Sequence, residues 1–191
     1  MTYDLRFRRA FATYFFTARL AEQNGDTLVR HLDVLRDSYN AMQRDLPFRC
    51  DAIVVMPDHL HAIWTLPEGD RDFAGRWRRL QAQFNFSLPA TTDRGMTDDG
   101  QIEPHVWAQD VLDHKIADQA DFDHHLGYCW WNPVKHGLVS SPMDWAFSSM
   151  HRDLRSGLVS EDDVLQGRPD ILVPPQASME RSISRRVSFV A

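Results

Sequence analysis

Apolar positions recur along this 191-residue chain with two different periods, and these periods predict strands and helices. β-Branched and aromatic side chains over residues 10–20 favour a strand, and apolar residues three or four apart over 26–46 predict a helix capped by Asp26. The same criteria predict strands over 47–56 and 59–66, helices over 70–86 and 118–131, and a fourth strand inside the ambiguous segment 105–116. We expect the last helix to stop at Asn132 and Pro133, since the residue before a proline disfavours helical geometry.

The order strand, helix, strand, strand, helix, strand predicts an α+β fold. Its simplest form is a ferredoxin-like antiparallel sheet with helices packed on it. Periodicity weakens after about residue 150, where few apolar residues recur at a regular spacing. We therefore expect one domain over 1–157 and an irregular, extended C-terminal tail over 158–191.

Composition limits the classes of protein without naming one. Hydrophobic residues make up 43% of the chain and charged residues 25%, as in ordinary globular domains. No apolar run approaches the roughly 18 residues of a membrane span, and the N-terminus lacks a secretory pattern, so we expect a cytoplasmic protein with no membrane partner. The net charge of −6 argues mildly against a polyanion partner, but the sequences RFRR at 6–9 and RWRRL at 76–80 provide local basic surface.

Two histidines stand one residue apart in the predicted strand at 59–66. Residues i and i+2 of a strand point to the same face, so His59 and His61 project together. Two neighbouring imidazoles offer two nitrogen ligands to a divalent ion. Taken alone, the His-x-His motif is weak, and two partly exposed histidines on a sheet face account for it as well as or better than a metal site.

A second polar pair lies near the end of the last predicted helix. Tyr128 and Asn132 are four residues apart and so share one helix face. Asn132 offers a carbonyl oxygen as a third metal ligand, and the Tyr128 phenol is a candidate nucleophile for a phosphodiester. Each residue also has a structural explanation: Tyr128 as a core aromatic residue, Asn132 as a residue of the helix end.

The segments VVMPDHLHAIWTLPEGDRDFAGRW and YCWWNPVKHGLVSSPMDWAFSS together resemble the REP-associated tyrosine transposases, which belong to the single-tyrosine HUH transposases. The resemblance covers roughly residues 6–157. It implies the HUH endonuclease fold, with His59 and His61 as the histidines of the metal site and Tyr128 as the nucleophile. Asn132 matches the position where relatives place a polar third metal ligand.

The resemblance also implies an activity. The family cleaves single-stranded DNA beside foldback hairpins and requires Mg²⁺ or Mn²⁺. We therefore expect a DNA nicking and strand-transfer enzyme that acts through a 5′-phosphotyrosine intermediate, as a monomer or a homodimer. His124, one turn before Tyr128, is a candidate general base, or else a solvated helix histidine.

The DNA contacts are predicted from charge and aromatic character. The candidate phosphate contacts are Arg6, Arg8, Arg9, Arg76 and Arg79. Most tryptophans are expected in the core, with Trp131 as the best candidate for an exposed ring that stacks on an unpaired base.

One segment departs from the family pattern. Relatives have a WQRRFWEH-like stretch where this chain has WAQDVLDH, so Gln109 and Asp110 stand in place of two arginines. This leaves two alternatives to the transposase: a repurposed or decayed hairpin-binding protein that does not nick DNA, and a metal-binding or interaction protein unrelated to DNA.

Overall fold

The structure is a computed structural model that describes residues 12–21, 25–89, 92 and 106–167. The four strands and the helices that connect them follow the predicted order. The strands are β1 (Thr13–Arg19), β2 (Arg49–Val55), β3 (His59–Thr65) and β4 (Leu112–Lys115). The helices are α1 (Thr27–Arg30), α2 (Leu32–Asp45), α3 (Phe73–Ser87), α4 (Gln119–Lys135), α5 (Met150–Arg155) and α6 (Glu161–Gln166), with a 3₁₀ turn at Pro142–Asp144.

The strands form one antiparallel sheet in the order β2-β3-β1-β4. This order and the helices packed on the sheet confirm the predicted α+β, ferredoxin-like architecture. The register places Thr17 of β1 opposite His61 of β3, and Arg19 opposite His59. The site predicted on β3 therefore lies at the centre of the sheet rather than at its edge.

Each face of the sheet has its own hydrophobic core. Helices α2 and α3 cover one face, where Leu60, Ala62 and Trp64 of β3 are fully buried. Helix α4 covers the other face, where Ile63 of β3 packs with α4 residues such as Leu126. Alternate residues of β3 enter different cores because strand side chains alternate in direction.

Helix α4 does not stop where the sequence predicted. It continues through Pro133 to Lys135. Pro133 lies in the last turn, where its missing N–H removes one backbone hydrogen bond and the helix still ends normally. The actual stop is Gly137, whose positive φ of 69° is typical of a residue just past a helix end. Tyr128 and Asn132 consequently lie on one continuous helix.

The start of the first helical region also differs from the prediction. It is divided into α1 and α2 by a break at His31. Asp26 precedes α1 but makes no capping hydrogen bond with its side chain. Its carboxylate pairs with Arg30 on the surface instead, at 2.8 Å.

The folded region extends past the predicted domain boundary at 157. Helix α6 begins with a capping box between Ser160 and Asp163, and its Val164 is fully buried in the core beside α4. The predicted tail therefore starts too early, and its remainder, 168–191, lies outside the described residues. Within the described part of the chain, no helix is both long and apolar enough to cross a membrane.

Candidate active site

Strand β3 brings His59 and His61 to the sheet face that α4 covers. Their ring centroids lie 5.0 Å apart, while Leu60 between them is buried on the opposite face. His61 is buried, with 4% of its surface exposed, and His59 is partly exposed. The predicted common direction of the two imidazoles follows from the two-residue repeat of the strand.

Hydrogen bonds orient both imidazoles through their Nδ1 atoms. Nδ1 of His59 lies 2.7 Å from the Asp58 carboxylate, and Nδ1 of His61 lies 2.8 Å from the Thr17 hydroxyl. Because a carboxylate only accepts, Nδ1 of His59 carries the hydrogen, and a neutral ring then has its lone pair on Nε2. Such partners on the remote nitrogen are characteristic of metal-binding histidines.

Burial keeps His61 in the form that binds metals. Desolvation lowers the pKa of His61 well below its ordinary value, and the neighbouring basic groups, first among them His59, lower it further. A neutral imidazole has a free lone pair at neutral pH, as a metal ligand requires.

Helix α4 places Tyr128 directly beside His61. The two rings meet edge to face, with centroids 5.1 Å apart, and the tyrosine is buried with 7% of its surface exposed. The ammonium of Lys135, two turns further along the helix, donates to the Tyr128 hydroxyl at 3.1 Å and lies 4.7 Å from the ring centroid. One chain thus supplies the histidine, the tyrosine and a cation that contacts the phenol oxygen.

Asn132 is buried one turn after Tyr128, with 1% of its surface exposed. Among the described residues, neither polar atom of its amide has a hydrogen-bond partner, and the same is true of Nε2 of His61. Leaving such groups unsatisfied costs about 1–3 kcal/mol each, so their burial suggests that a ligand satisfies them. Imidazole nitrogens and an amide oxygen suit a divalent ion, so the donor chemistry of His59, His61 and Asn132 fits a metal site.

Two of the predicted arginine contacts can be located. Arg76 is almost fully buried, and its guanidinium donates to the Leu46, Asp72 and Pro47 carbonyls and to the Asp70 carboxylate. It is therefore a structural residue that holds α3 to the end of α2, and the expected phosphate contact there is wrong. Arg79 is half exposed and pairs with Asp45, so it remains a candidate.

The other predicted arginines, Arg6, Arg8 and Arg9, lie outside the described residues. Their contacts with DNA phosphates stay a prediction.

Trp131 is not the exposed tryptophan that the sequence suggested. It is buried, and its indole N–H donates to the Val164 carbonyl of α6 at 2.9 Å. The error follows from the tail boundary, because α6 covers this side of α4.

His124 is exposed, and the phenol hydrogen bond described above comes from Lys135. Gln109 and Asp110, which replace the family arginines, are both exposed.

Four residues near the site were missed from the sequence. Asp58 and Thr17 orient the histidines, Lys135 contacts the nucleophile candidate, and the His136 ring lies 5.0 Å from that of His59. Asp58 precedes His59 directly, and Lys135 is one turn past Asn132, so local spacing could have identified both. Thr17 reaches His61 through strand pairing across 44 positions, which no local pattern reveals.

Comparison with known proteins identifies the family. No family model matches the chain. A REP-associated tyrosine transposase of Escherichia coli K12 is 39% identical over 150 residues, which is 78% of this chain and 83% of that protein. A relative from Haemophilus influenzae, which bears the same family name in provisional form, is 34% identical over 87% of this chain and 96% of its own length.

A solved structure agrees with these relatives. A REP-associated tyrosine transposase bound to a REP hairpin is 37% identical and superposes with a TM-score of 0.69, covering 81% of this chain and 87% of that one. Fold and relatives together define a transposase. The chain belongs to the REP-associated tyrosine transposases, which confirms the resemblance drawn from its sequence. An interaction protein unrelated to DNA loses its support.

Proposed function

We propose that the protein is a metal-dependent enzyme that nicks and rejoins single-stranded DNA beside foldback hairpins through a 5′-phosphotyrosine intermediate. The observation that carries the proposal is the position of Tyr128 against His61, in a site where Nε2 of His61 and the Asn132 amide are buried without partners among the described residues. The solved relative bound to a REP hairpin supports hairpin DNA as the partner.

The metal would be Mg²⁺ or Mn²⁺, held by His59, His61 and Asn132. Bound there, it supplies a Lewis acid that polarises a phosphodiester oxygen. The protein fixes these ligands through Asp58 and Thr17, which hold the two imidazoles by their remote nitrogens.

Tyr128 is the nucleophile in this mechanism. Its phenol oxygen attacks the phosphorus, the bond to the 3′ oxygen breaks, and that oxygen leaves as a free 3′-hydroxyl after taking up a proton. The phenol proton passes to water, and the Lys135 ammonium, already a donor to that oxygen, stabilises the negative charge that develops. The phosphotyrosine ester conserves the bond energy, so rejoining needs no nucleotide cofactor.

Residues from one chain account for the proposed site. His61, Tyr128, Asn132 and Lys135 come from a single β3–α4 pair, and the two elements are in direct contact. This supports attack by the tyrosine of the same chain, whether the protein acts as a monomer or as a homodimer.

A hairpin-binding protein that has lost nicking is the second candidate. It is favoured by Gln109 and Asp110, because both are exposed where the family pattern has arginines. An acidic side chain there weakens the attraction of a DNA backbone.

One experiment separates the two candidates. The protein is incubated with a labelled single-stranded hairpin oligonucleotide, with Mn²⁺ or with EDTA, and run on a denaturing gel, while binding is measured by a native mobility shift. The nicking enzyme gives a covalent adduct that requires Mn²⁺. Binding without any adduct would assign the repurposed hairpin-binding protein instead.

A further inference from the structure

Strand β1 ends at an exposed arginine beside the candidate active site. Arg19 is the last residue of β1, and it stands opposite His59 in the pairing of β1 with β3. Directly opposite residues of an antiparallel pair have their Cβ atoms about 4.5–5.5 Å apart and on the same face of the sheet. The side chains of Arg19 and His59 therefore start as close neighbours.

The alternation of β1 directs Arg19 to the sheet face of the site. Thr17, two residues earlier, hydrogen bonds to His61 on that face, and Ala18 between them is fully buried in the core on the opposite face. Burial is the main cause of the lowered pKa of both His61 and His136, and the positive charge of Arg19 adds to it in each case. The guanidinium therefore lies within electrostatic range of the site.

The Arg19 guanidinium is free to bind a ligand. Within the described part of the chain it forms no hydrogen bond or ion pair, whereas the exposed Arg30 and Arg36 each pair with a nearby aspartate. The ammonium of Lys135 is a second cation at the site, where it contacts the Tyr128 hydroxyl. Two permanent cations therefore border the site in a chain whose net charge is −6.

We propose that Arg19 binds a backbone phosphate of the DNA beside His59 and so positions the strand for attack by Tyr128. This inference rests on the proposed function, because it adds a residue to the same site. A guanidinium presents two parallel N–H donors that match two oxygens of one phosphate, and it keeps its charge at any working pH. The alternative is a solvated arginine at a strand end that does not contact DNA.

Neutral phosphate analogues identify such a contact. The probe is a single-stranded hairpin oligonucleotide with unpaired flanks, together with copies in which one phosphate at a time is a methylphosphonate. Affinities are measured by fluorescence anisotropy in EDTA. The unaltered chain should lose about tenfold in affinity at the contacted phosphate, as expected for a hydrogen bond to a charged group. Arg19→Gln should lose about tenfold on the unmodified oligonucleotide and nothing further at that phosphate.

Two further variants control for charge and geometry. Arg78→Gln removes an exposed arginine from α3, which covers the other face of the sheet, and it should keep the full methylphosphonate effect. Arg19→Lys keeps the charge without the paired donors, so it should recover only part of the affinity. If Arg19→Gln bound as tightly as the unaltered chain, or kept its sensitivity at every modified phosphate, Arg19 would be a solvated arginine and the proposal would be overturned.

Binding and nicking are measured separately, so the two proposals fail separately. The affinities are obtained without added metal and need no cleavage. Adduct formation by the unaltered chain with Mn²⁺ tests the nicking activity alone. Hairpin binding that depends on Arg19 without any adduct would support the phosphate contact and refute nicking. An unaltered chain that does not bind the hairpin at all would overturn both.

Discussion

The two faces of β3 show how one strand serves two purposes. On the face covered by α2 and α3, Leu60, Ala62 and Trp64 are fully buried, and Trp64 stacks on Trp77 at 4.4 Å. This packing contributes to stability through burial of apolar surface.

The opposite face combines its own apolar core with buried polar groups. His61 is buried in the sheet at a position where an apolar side chain would cost less free energy of desolvation. Its Nε2 has no partner among the described residues. On α4, neither polar atom of the buried Asn132 amide has a partner among the described residues. On this face the unpartnered groups are an imidazole nitrogen and an amide, which can ligate a metal ion, whereas on the face covered by α2 and α3 they include the indole N–H groups of Trp64 and Trp77, which only donate. The chemistry of these groups separates the stabilising face from the functional one.

Removing the nucleophile should produce the largest effect on the functional face. Tyr128→Phe should abolish the covalent DNA adduct, because phenylalanine keeps the buried ring and lacks the attacking oxygen. Hairpin binding, measured by mobility shift, should change little. The matched control is Tyr14→Phe, since Tyr14 is a buried tyrosine in the core on the opposite face. Undiminished adduct from Tyr128→Phe would mean that another group attacks.

Substitutions at neighbouring positions of β3 should separate the two faces. His59→Ala with His61→Ala should stop cleavage and weaken Mn²⁺ binding, measured by electron paramagnetic resonance titration, with little loss of stability. Leu60→Ala, between them, should lower the free energy of unfolding by about 2–5 kcal/mol and retain Mn²⁺ binding. If the double histidine variant were the one that unfolds, the two histidines would be core residues.

Lys135→Met should slow adduct formation by about 10²-fold, because one donor to the developing phenolate is lost while the aliphatic part of the side chain remains. Single-turnover rates with a hairpin substrate measure this effect. Lys115→Met on the edge strand is the control for loss of a positive charge, and a similar slowing there would assign the effect to DNA attraction in general.

Thr17→Val should weaken metal binding by about 10- to 100-fold, because it removes the hydroxyl that orients His61. Thr13→Val is its matched control on the same strand: Thr13 is also buried but hydrogen bonds to Thr65, away from the histidines. Isothermal titration with Mn²⁺ compares the two. Equal effects of both substitutions would remove Thr17 from the site.

The smallest expected effect concerns the surface. Gln109→Arg with Asp110→Arg should tighten single-stranded DNA binding and steepen its salt dependence by about −0.7 in log K against log salt for each additional phosphate that the protein neutralises. Affinities measured at several salt concentrations test this. An unchanged slope would show that these exposed positions do not face DNA.

Local periodicity predicted much of the candidate site from the sequence. The two-residue repeat placed His59 and His61 on one face, and the helical repeat placed Tyr128 with Asn132. Prediction was weaker at the ends of helices. The free-energy cost of Pro133 in the last turn of α4 is small, so tertiary packing allows the helix to continue through it.

The remaining errors involve contacts distant in sequence. Arg76 looked like a surface charge, but it satisfies backbone carbonyls at the end of α2, about thirty positions away. Trp131 is covered by a helix that weak periodicity concealed. Thr17 meets His61 only because the strands pair in one register. Such positions depend on the assembled fold, which local patterns do not encode.

Tyr128, on the polar face of the sheet, should form the covalent link to DNA. Tandem mass spectrometry of the adduct, after digestion by trypsin and nuclease, identifies the linked residue. We expect a residual nucleotide attached through a phosphate to Tyr128. Attachment at any other residue would refute the proposed mechanism.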